Sequence, residues 1–142
     1  MRIYADTAAL IAWFHPADEF AEAVTDWCRQ RSPEFSWNPL LRMELRHNLR
    51  RLSGKYAAPA WHAYRASETS RKLRLEIHGP SELVDRGDEL SARHAQESHA
   101  GTWDFVHVAA AQLVRAETFI TCDAALAELA RVSGLTQVHL FQ

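Results

Sequence analysis

Four carboxylates, Asp6, Glu44, Asp104 and Asp123, stand where this 142-residue chain could gather charge for chemistry. Asp6 follows the short apolar run RIYA and, with Thr7, precedes AALIAWFH; Asp123 follows TFITC and precedes AALAELARVS. Both therefore sit where a strand hands over to a helix. In parallel α/β sheets ligand sites lie beyond the carboxyl ends of the strands, so two such acids can face one crevice. Helix N-termini also favour nearby negative charge, and taken singly each Asp is better explained as a helix cap. Glu44 lies inside LLRMELRHNL, with Leu40, Leu41 and His47 three and four residues away. A carboxylate on the border of an apolar helix face is costly unless it finds a partner or a cation. Asp104 opens WDFVHVAAAQLV, a helix apolar enough to be buried, as a cap, a metal ligand or both. Four acids in one cleft repel and raise each other's pKa unless a cation neutralises them. Oxygen ligands alone call for a hard ion, Mg²⁺ or Mn²⁺, rather than zinc.

Other chemistries find less support. The eight histidines show no HxH or HExxH spacing, which argues against zinc. His107, one turn after Asp104, is within reach of a metal edge or a phosphate, but such a histidine is more often packed and hydrogen-bonded. Cys122 lacks a His or Asp arrangement that would make it a nucleophile, and no Gly-rich phosphate loop occurs. A phosphatase using Asp6 as nucleophile would want a second carboxylate two residues on, where Ala8 stands.

The elements that must position these acids are short strands alternating with helices. The pattern predicts strands at Arg2–Ala5, Phe35–Trp37, Leu75–His78, Thr118–Thr121 and Gln137–Phe141. Helices are expected after Thr7, from Asp18 as cap to Arg31, from Pro39 to near Gly54, and from Ala58 to Arg74. Three more are expected from Pro80 to His99, over Asp104–Ala116, and over Asp123–Ser133 with Gly134 as the stop. Such alternation predicts an α/β domain, a three-layer α/β/α sandwich with a central parallel sheet covered on both faces. Residues 1–142 suffice for one domain.

With 47% apolar and 24% charged residues the chain has the makings of a folded core, which excludes wholesale disorder. Its two cysteines, Cys28 and Cys122, lack metal-finger spacing and suit the reduced thiols of a cytoplasmic protein. The N-terminal stretch lacks a signal-peptide pattern, and no apolar run is long enough to span a membrane. Residues 42–74 hold nine basic residues against Glu44 and Glu68, while the rest of the chain is acidic. That asymmetry suggests one face for a polyanion and another for a basic partner; the alternative is a solvated helical hairpin.

On YADTAALIAWF, MELRHNLRR and WDFVHVAAAQLVRAETFITCDAALAELARVSGLTQV, the chain resembles the PIN domains, and among them the VapC-type toxins of toxin–antitoxin pairs. The last block is the most specific, since an Asp-led apolar helix, a strand ending in Thr-x-Asp and a Leu-Ala-rich helix occur together. The resemblance implies a Mg²⁺- or Mn²⁺-dependent endoribonuclease with Asp6, Glu44, Asp104 and Asp123 as its acidic residues. It implies Asp6, Asp104 and Asp123 as metal ligands, and Thr7 and Thr121 as hydroxyls supporting them. It further implies cleavage to a 5′ phosphate and a 3′ hydroxyl, a VapB-like antitoxin as partner, and a homodimer. Glu44 would orient or deprotonate the attacking water, or bind a second ion.

RNA needs basic ground beside the acids. Arg42, Arg46 and Arg50 recur at four-residue intervals on one face of the Glu44 helix and are the expected phosphate contacts, with Arg51 or Lys55 beside them. Trp13, Trp37, Trp61 and Trp103 are conceivable stacking surfaces, though core packing is the commoner use of each. The competing function is a PIN-fold RNA-binding or scaffold module with little or no catalysis.

Overall fold

Apolar runs too short to make a helix become the strands of this protein. The computed structural model describes residues 1–142 and contains β1 (Ile3–Ala5), β2 (Phe35–Trp37), β3 (Leu73–Leu75), β4 (Thr118–Thr121) and β5 (Gln137–Leu140). All pairings are parallel, in the order β3-β2-β1-β4-β5. Burial follows position. Every residue of β1, β2 and β4 is buried, whereas edge strands β3 and β5 are partly exposed. Central parallel strands covered on both faces need such continuous apolar or satisfied sequences.

Seven helices cover the sheet: α1 (Thr7–Phe14), α2 (Ala21–Arg31), α3 (Pro39–Arg50), α4 (Ala57–Thr69), α5 (Pro80–His94), α6 (Thr102–Leu113) and α7 (Ala124–Val132). Helices α1 to α4 pack among themselves, as do α5 to α7, giving the two outer layers of an α/β/α sandwich. One core of 32 buried residues runs through all three layers, with Tyr4, Leu10, Phe35, Trp37, Leu45, Tyr64 and Phe119 among its largest members. From β1 the chain steps outward to β2 and β3, then crosses back to β4 on the other side. Neighbouring strands β1 and β4 thus mark the point where strand order reverses, and the crevice there is where an open α/β sheet places its ligands.

Several expected boundaries move. Helix α4 stops at Thr69 rather than Arg74, because Arg71 takes a left-handed φ of 63°. Strand β3 then starts two residues earlier than Leu75–His78, which lets Leu73 pair with Phe35 and bury itself. Asp18 does not cap α2: its Oδ1 accepts from the Phe20 N–H inside the preceding turn, and Phe20 is the N-cap. Helix α3 ends at Arg50, followed by a 3₁₀ turn at Gly54–Tyr56, and α5 ends at His94, short of His99. Helix α6 begins at Thr102, so Asp104 lies in its first turn, and it closes where Arg115 turns left-handed at φ 55°. Gly134 ends α7 as expected, at φ 94°. Its N–H donates to Arg131 and that of Leu135 to Ala130, the paired carbonyl closure that favours glycine there.

Candidate active site

The ends of β1 and β4 are joined by one hydroxyl. Asp6 follows β1 and is the N-cap of α1: its Oδ1 accepts from Ala9 N–H at 2.9 Å. Its Oδ2 accepts from Thr121 Oγ1 at 2.7 Å, and the same Oγ1 accepts from Asp123 N–H at 3.0 Å. Thr121 therefore fixes Asp6 with one side of its hydroxyl and the turn carrying Asp123 with the other. Asp123 in turn is the N-cap of α7, where Oδ1 accepts from Ala125 and Leu126 N–H at 2.8 and 3.2 Å. Only 4% of Asp6 is exposed. Burial pushes its carboxyl above the ordinary value, against the Thr121 hydrogen bond, the nearby His107 and the Ala9 N–H; the charge of Asp123 pushes it further up.

Glu44 arrives from α3, in the opposite layer from α6, and the two helices meet over the sheet's carboxyl end. Its Oε2 accepts from the Trp103 indole N–H at 2.6 Å and lies 3.3 Å from His107 Nε2. Burial works against its charge, but His107, the Thr7 hydroxyl and Trp103 outweigh it and hold the carboxyl below its usual value. The buried Thr7 hydroxyl faces Glu44 without a hydrogen bond of good geometry and has no other protein partner. Behind them Tyr4, fully enclosed in β1, places its hydroxyl 2.9 Å from His107 Nδ1. Burial, then the charges of Asp6 and Glu44, raise that phenol well above its ordinary pKa, so it stays neutral.

Asp104 is the fourth acid, one turn before His107 on α6. Its Oδ2 folds back to accept from Gly101 N–H at 2.9 Å. The structure thus links Asp6 and Asp123 through Thr121, and Glu44 to the strand bearing Asp6 through His107 and Tyr4. Asp104 is tied to its own helix start, and no three acids or histidines close into a metal-binding cluster. Each acid meets a protein donor, yet Oδ1 of Asp104, Oδ2 of Asp123 and Oε1 of Glu44 carry no hydrogen bond of good geometry. Carboxylate oxygens without a hydrogen bond, and a carboxylate that burial disfavours, are donors of the kind a hard divalent cation takes.

The arginines expected as phosphate contacts lie against α4. Arg42, Arg46 and Arg50 lie two residues from Glu44 or a further turn on, about 200° round the helix, so they face α4. Arg42 Nε and Arg46 Nη2 pair with Glu68 at 3.0 and 3.1 Å, and Arg46 Nε donates to Tyr64 at 2.6 Å. Arg50 sits over the Trp61 ring. Of the tryptophans, Trp37 is core, Trp13 and Trp61 pack against the core, and Trp103 is 44% exposed. Cys122 lines the site, its thiol pushed up to about 12 by burial and then by the charges of Asp6, Asp18 and Glu19.

Sequence reasoning placed His107 as a packed, hydrogen-bonded residue but missed its hold on Glu44, and it missed Tyr4 and Asn38, whose Oδ1 caps α3 by accepting from Leu41 N–H at 2.9 Å. Signals for both existed: Tyr4 shares a strand face with Asp6 by period-two alternation, and Asn38-Pro39 is a helix-start pair.

The model of the PIN domain family matches residues 3–132. Among solved structures the chain is similar to VapC20 of Mycobacterium tuberculosis, described as a sarcin-ricin loop cleaving toxin. That match has 20% identity, 96% of this chain and 98% of that one, and a TM-score of 0.70. It is also similar to FitAcB from Neisseria gonorrhoeae, with 15% identity, 100% and 97% coverage and a TM-score of 0.67. A third similar structure is VapBC2 from Rickettsia felis, bound to a DNA fragment from its promoter, with 13% identity, full coverage of both chains and a TM-score of 0.67. No curated protein matches the sequence.

Proposed function

Because the chain belongs to the PIN domain family, we propose that it is a divalent-metal-dependent endoribonuclease, the toxin of a toxin–antitoxin pair. The observation carrying this reading is Asp6, a buried carboxylate at the point where strand order reverses, fastened through Thr121 to the turn that bears Asp123. A protein that only bound RNA would have little use for a buried charge whose own hydrogen bonds leave its carboxyl shifted upward.

Asp6, Asp104 and Asp123 would hold Mg²⁺ or Mn²⁺. Bound there, the ion supplies Lewis-acid stabilisation of charge on the scissile phosphate. Thr121 keeps Asp6 ionised and aimed, and Thr7 faces Glu44. Glu44, already ionised, would orient the attacking water and accept its proton as the phosphorus bond to the 3′ oxygen breaks; that oxygen takes a proton from solvent, leaving a 5′ phosphate and a 3′ hydroxyl. His107 is not the base, since both its ring nitrogens face protein partners.

Toxins of this kind need restraint, and several similar folds come from complexes such as the toxin–antitoxin pair of Klebsiella pneumoniae. A VapB-like antitoxin is the partner proposed here, and a homodimer the state. An apolar groove of about 510 Å³, lined by Leu40, Met43, Ile77, Val84, Trp103 and Val106 beside Glu44, offers that antitoxin a seat. No helix is long and apolar enough to cross a membrane, and a cytoplasmic location fits an enzyme that meets cellular RNA.

The deciding experiment incubates purified protein with a mixed single-stranded RNA, titrating Mg²⁺ and Mn²⁺, alongside Asp6→Asn and Asp104→Asn. Cleavage that needs the metal and disappears in both variants supports the reading. Metal-independent cleavage, or full activity in both folded variants, refutes it.

A further inference from the structure

Four side chains behind Glu44 have no task in that chemistry: Asn38, Tyr4, His107 and Trp103. We propose that they form a one-way hydrogen-bond chain that pins Oε2 of Glu44 and leaves Oε1 as the working oxygen, with His107 as the positioning residue. The task given to Oε1 rests on the ribonuclease reading; the chain itself rests on distances and donor counts.

Its two ends fix its direction. At one end the Leu41 N–H, which can only donate, binds Asn38 Oδ1 at 2.9 Å. That leaves only the donor nitrogen of the Asn38 amide for the small cavity it lines with Tyr4. An enclosed phenol must place its hydrogen on an acceptor, which an amide nitrogen is not, and His107 Nδ1 is 2.9 Å away. Nδ1 is therefore the acceptor, and the ring carries its proton on Nε2. From Nε2 the Glu44 Oε2 lies 3.3 Å away, and an ionised carboxylate can only accept. The indole N–H of Trp103 reaches the same oxygen at 2.6 Å. Every hydrogen in the series has one place to go.

Position makes the chain useful. Asn38 follows β2, Tyr4 stands in β1 two residues before Asp6, and His107 lies on α6 one turn past Asp104. Asn38 also caps α3, and Trp103 shares α6 with His107, so the parts come from three elements of the rigid frame. Glu44, by contrast, sits on α3 with its side chain 21% exposed, and a glutamate so placed has rotamers to lose. The Trp103 N–H at 2.6 Å and the His107 ring at 3.3 Å, both on one oxygen, remove that freedom and leave the other oxygen without a partner. Trp103 alone is a weaker anchor, because it is the exposed member of the pair.

The test uses the full chain with ¹⁵N-labelled histidine and three variants: His107→Leu, His107→Gln and Tyr4→Phe. Ring-nitrogen spectra should show His107, assigned by its loss in His107→Gln, protonated at Nε2 with Nδ1 as acceptor. Protonation at Nδ1 alone, or on both nitrogens, overturns the chain. On a single-stranded RNA oligonucleotide with Mn²⁺, His107→Leu should lower kcat roughly 10–100-fold, the usual loss when a residue behind a catalytic group is removed. KM should stay within about twofold, since the loss falls on the transition state and not on RNA binding. Glutamine extends an N–H to a similar reach and should recover kcat to within about threefold of wild type. A fall shared equally by Leu and Gln would mean packing rather than positioning, and an unchanged kcat in folded His107→Leu would overturn the proposal outright. Should His107→Leu not fold, Tyr4→Phe removes one hydroxyl from the chain and must still lower kcat; wild-type activity there overturns it. A wild-type protein that cuts no RNA with either metal defeats the ribonuclease reading, while the ring-nitrogen spectra still decide the chain.

Discussion

Asp6→Asn separates what the site costs from what it does. Burial disfavours the ionised carboxylate, and its bonds from Thr121 and Ala9 do not fully compensate, so its folded-state pKa lies above the unfolded one. The folded protein then holds a proton that the unfolded chain has already released. Wild-type stability consequently declines as pH climbs from the unfolded value through the folded one, and stays lower above it. An asparagine in its place does not titrate. The stability of Asp6→Asn relative to wild type, measured in EDTA by urea unfolding, should therefore grow between about pH 4 and pH 7. Each pH unit by which burial lifts the carboxyl adds about 1.4 kcal/mol to that difference, or some 4–6 °C in Tm for a chain this long. The amide costs something of its own, because Thr121 Oγ1 must now accept from the introduced side-chain N–H and its own hydrogen loses a partner. That penalty is about 1 kcal/mol and independent of pH, so it moves the curve without altering its slope. Mg²⁺ at ten times its Kd should return about 1.4 kcal/mol to wild type and nothing to Asp6→Asn. A relative stability that stays flat or shrinks with rising pH would refute the claim that Asp6 is a strained charge awaiting a cation.

Asp104→Asn should abolish cleavage while leaving unfolding within about 0.5 kcal/mol of wild type, because asparagine still accepts from Gly101 N–H; a nuclease assay beside a urea melt checks both. Glu68→Gln should cost about 1–3 kcal/mol at pH 7 by removing the acid that holds Arg42, Arg46 and Arg65. Its carboxyl lies below its ordinary value because Tyr64 and the arginines outweigh burial, so that stability is present above the unfolded pKa and lost as pH falls through the folded one. Urea melts at pH 7 and pH 3.5 should show the difference narrowing. Arg50 and Arg51 are exposed at the end of α3; alanine at both should raise KM for RNA and flatten its dependence on salt by up to about 0.7 per phosphate contact in the log–log plot. Val84→Asp, in the apolar groove, should prevent copurification with a co-expressed antitoxin while leaving RNA cleavage within about twofold of wild type.

How far the fold could be read from sequence depended on where each element is specified. Strands β2 and β4 match their expected spans because they are central, and a central strand is announced by its own apolar run. Strand β3 was misplaced because an edge strand buries little: Leu73 alone is buried, and its register comes from pairing with Phe35 in another element. Helix ends set by a left-handed Arg71 or Arg115 are equally hidden, since arginine gives no local signal for that conformation. The surroundings of the arginine face were hidden for a simpler reason. Spacing of four residues fixes which side chains share a face, not what that face meets, and it meets Glu68 and Tyr64 on α4.

The hydrogen bonds at the four acids belong to single oxygens and not to whole residues. Asp6 and Asp123 are indeed helix caps, Asp104 steadies the start of its helix, and Glu44 has found protein partners. Capping, however, takes one carboxylate oxygen and leaves the other. In three of the four acids the second oxygen has no well-formed hydrogen bond, and in Asp6 it is held by a hydroxyl that also steers Asp123. A carboxylate anchored through one oxygen is aimed by its anchor, so the donors that stabilise the helix starts also set the directions in which the free oxygens can act. It follows that replacing a capping acid by serine, which keeps a cap but removes the second oxygen, should spare the fold and remove the chemistry. Asp123→Ser is the cleanest case, because its Oδ1 alone serves α7. Full cleavage by a folded Asp123→Ser protein would show that the cap was the whole of that residue's purpose.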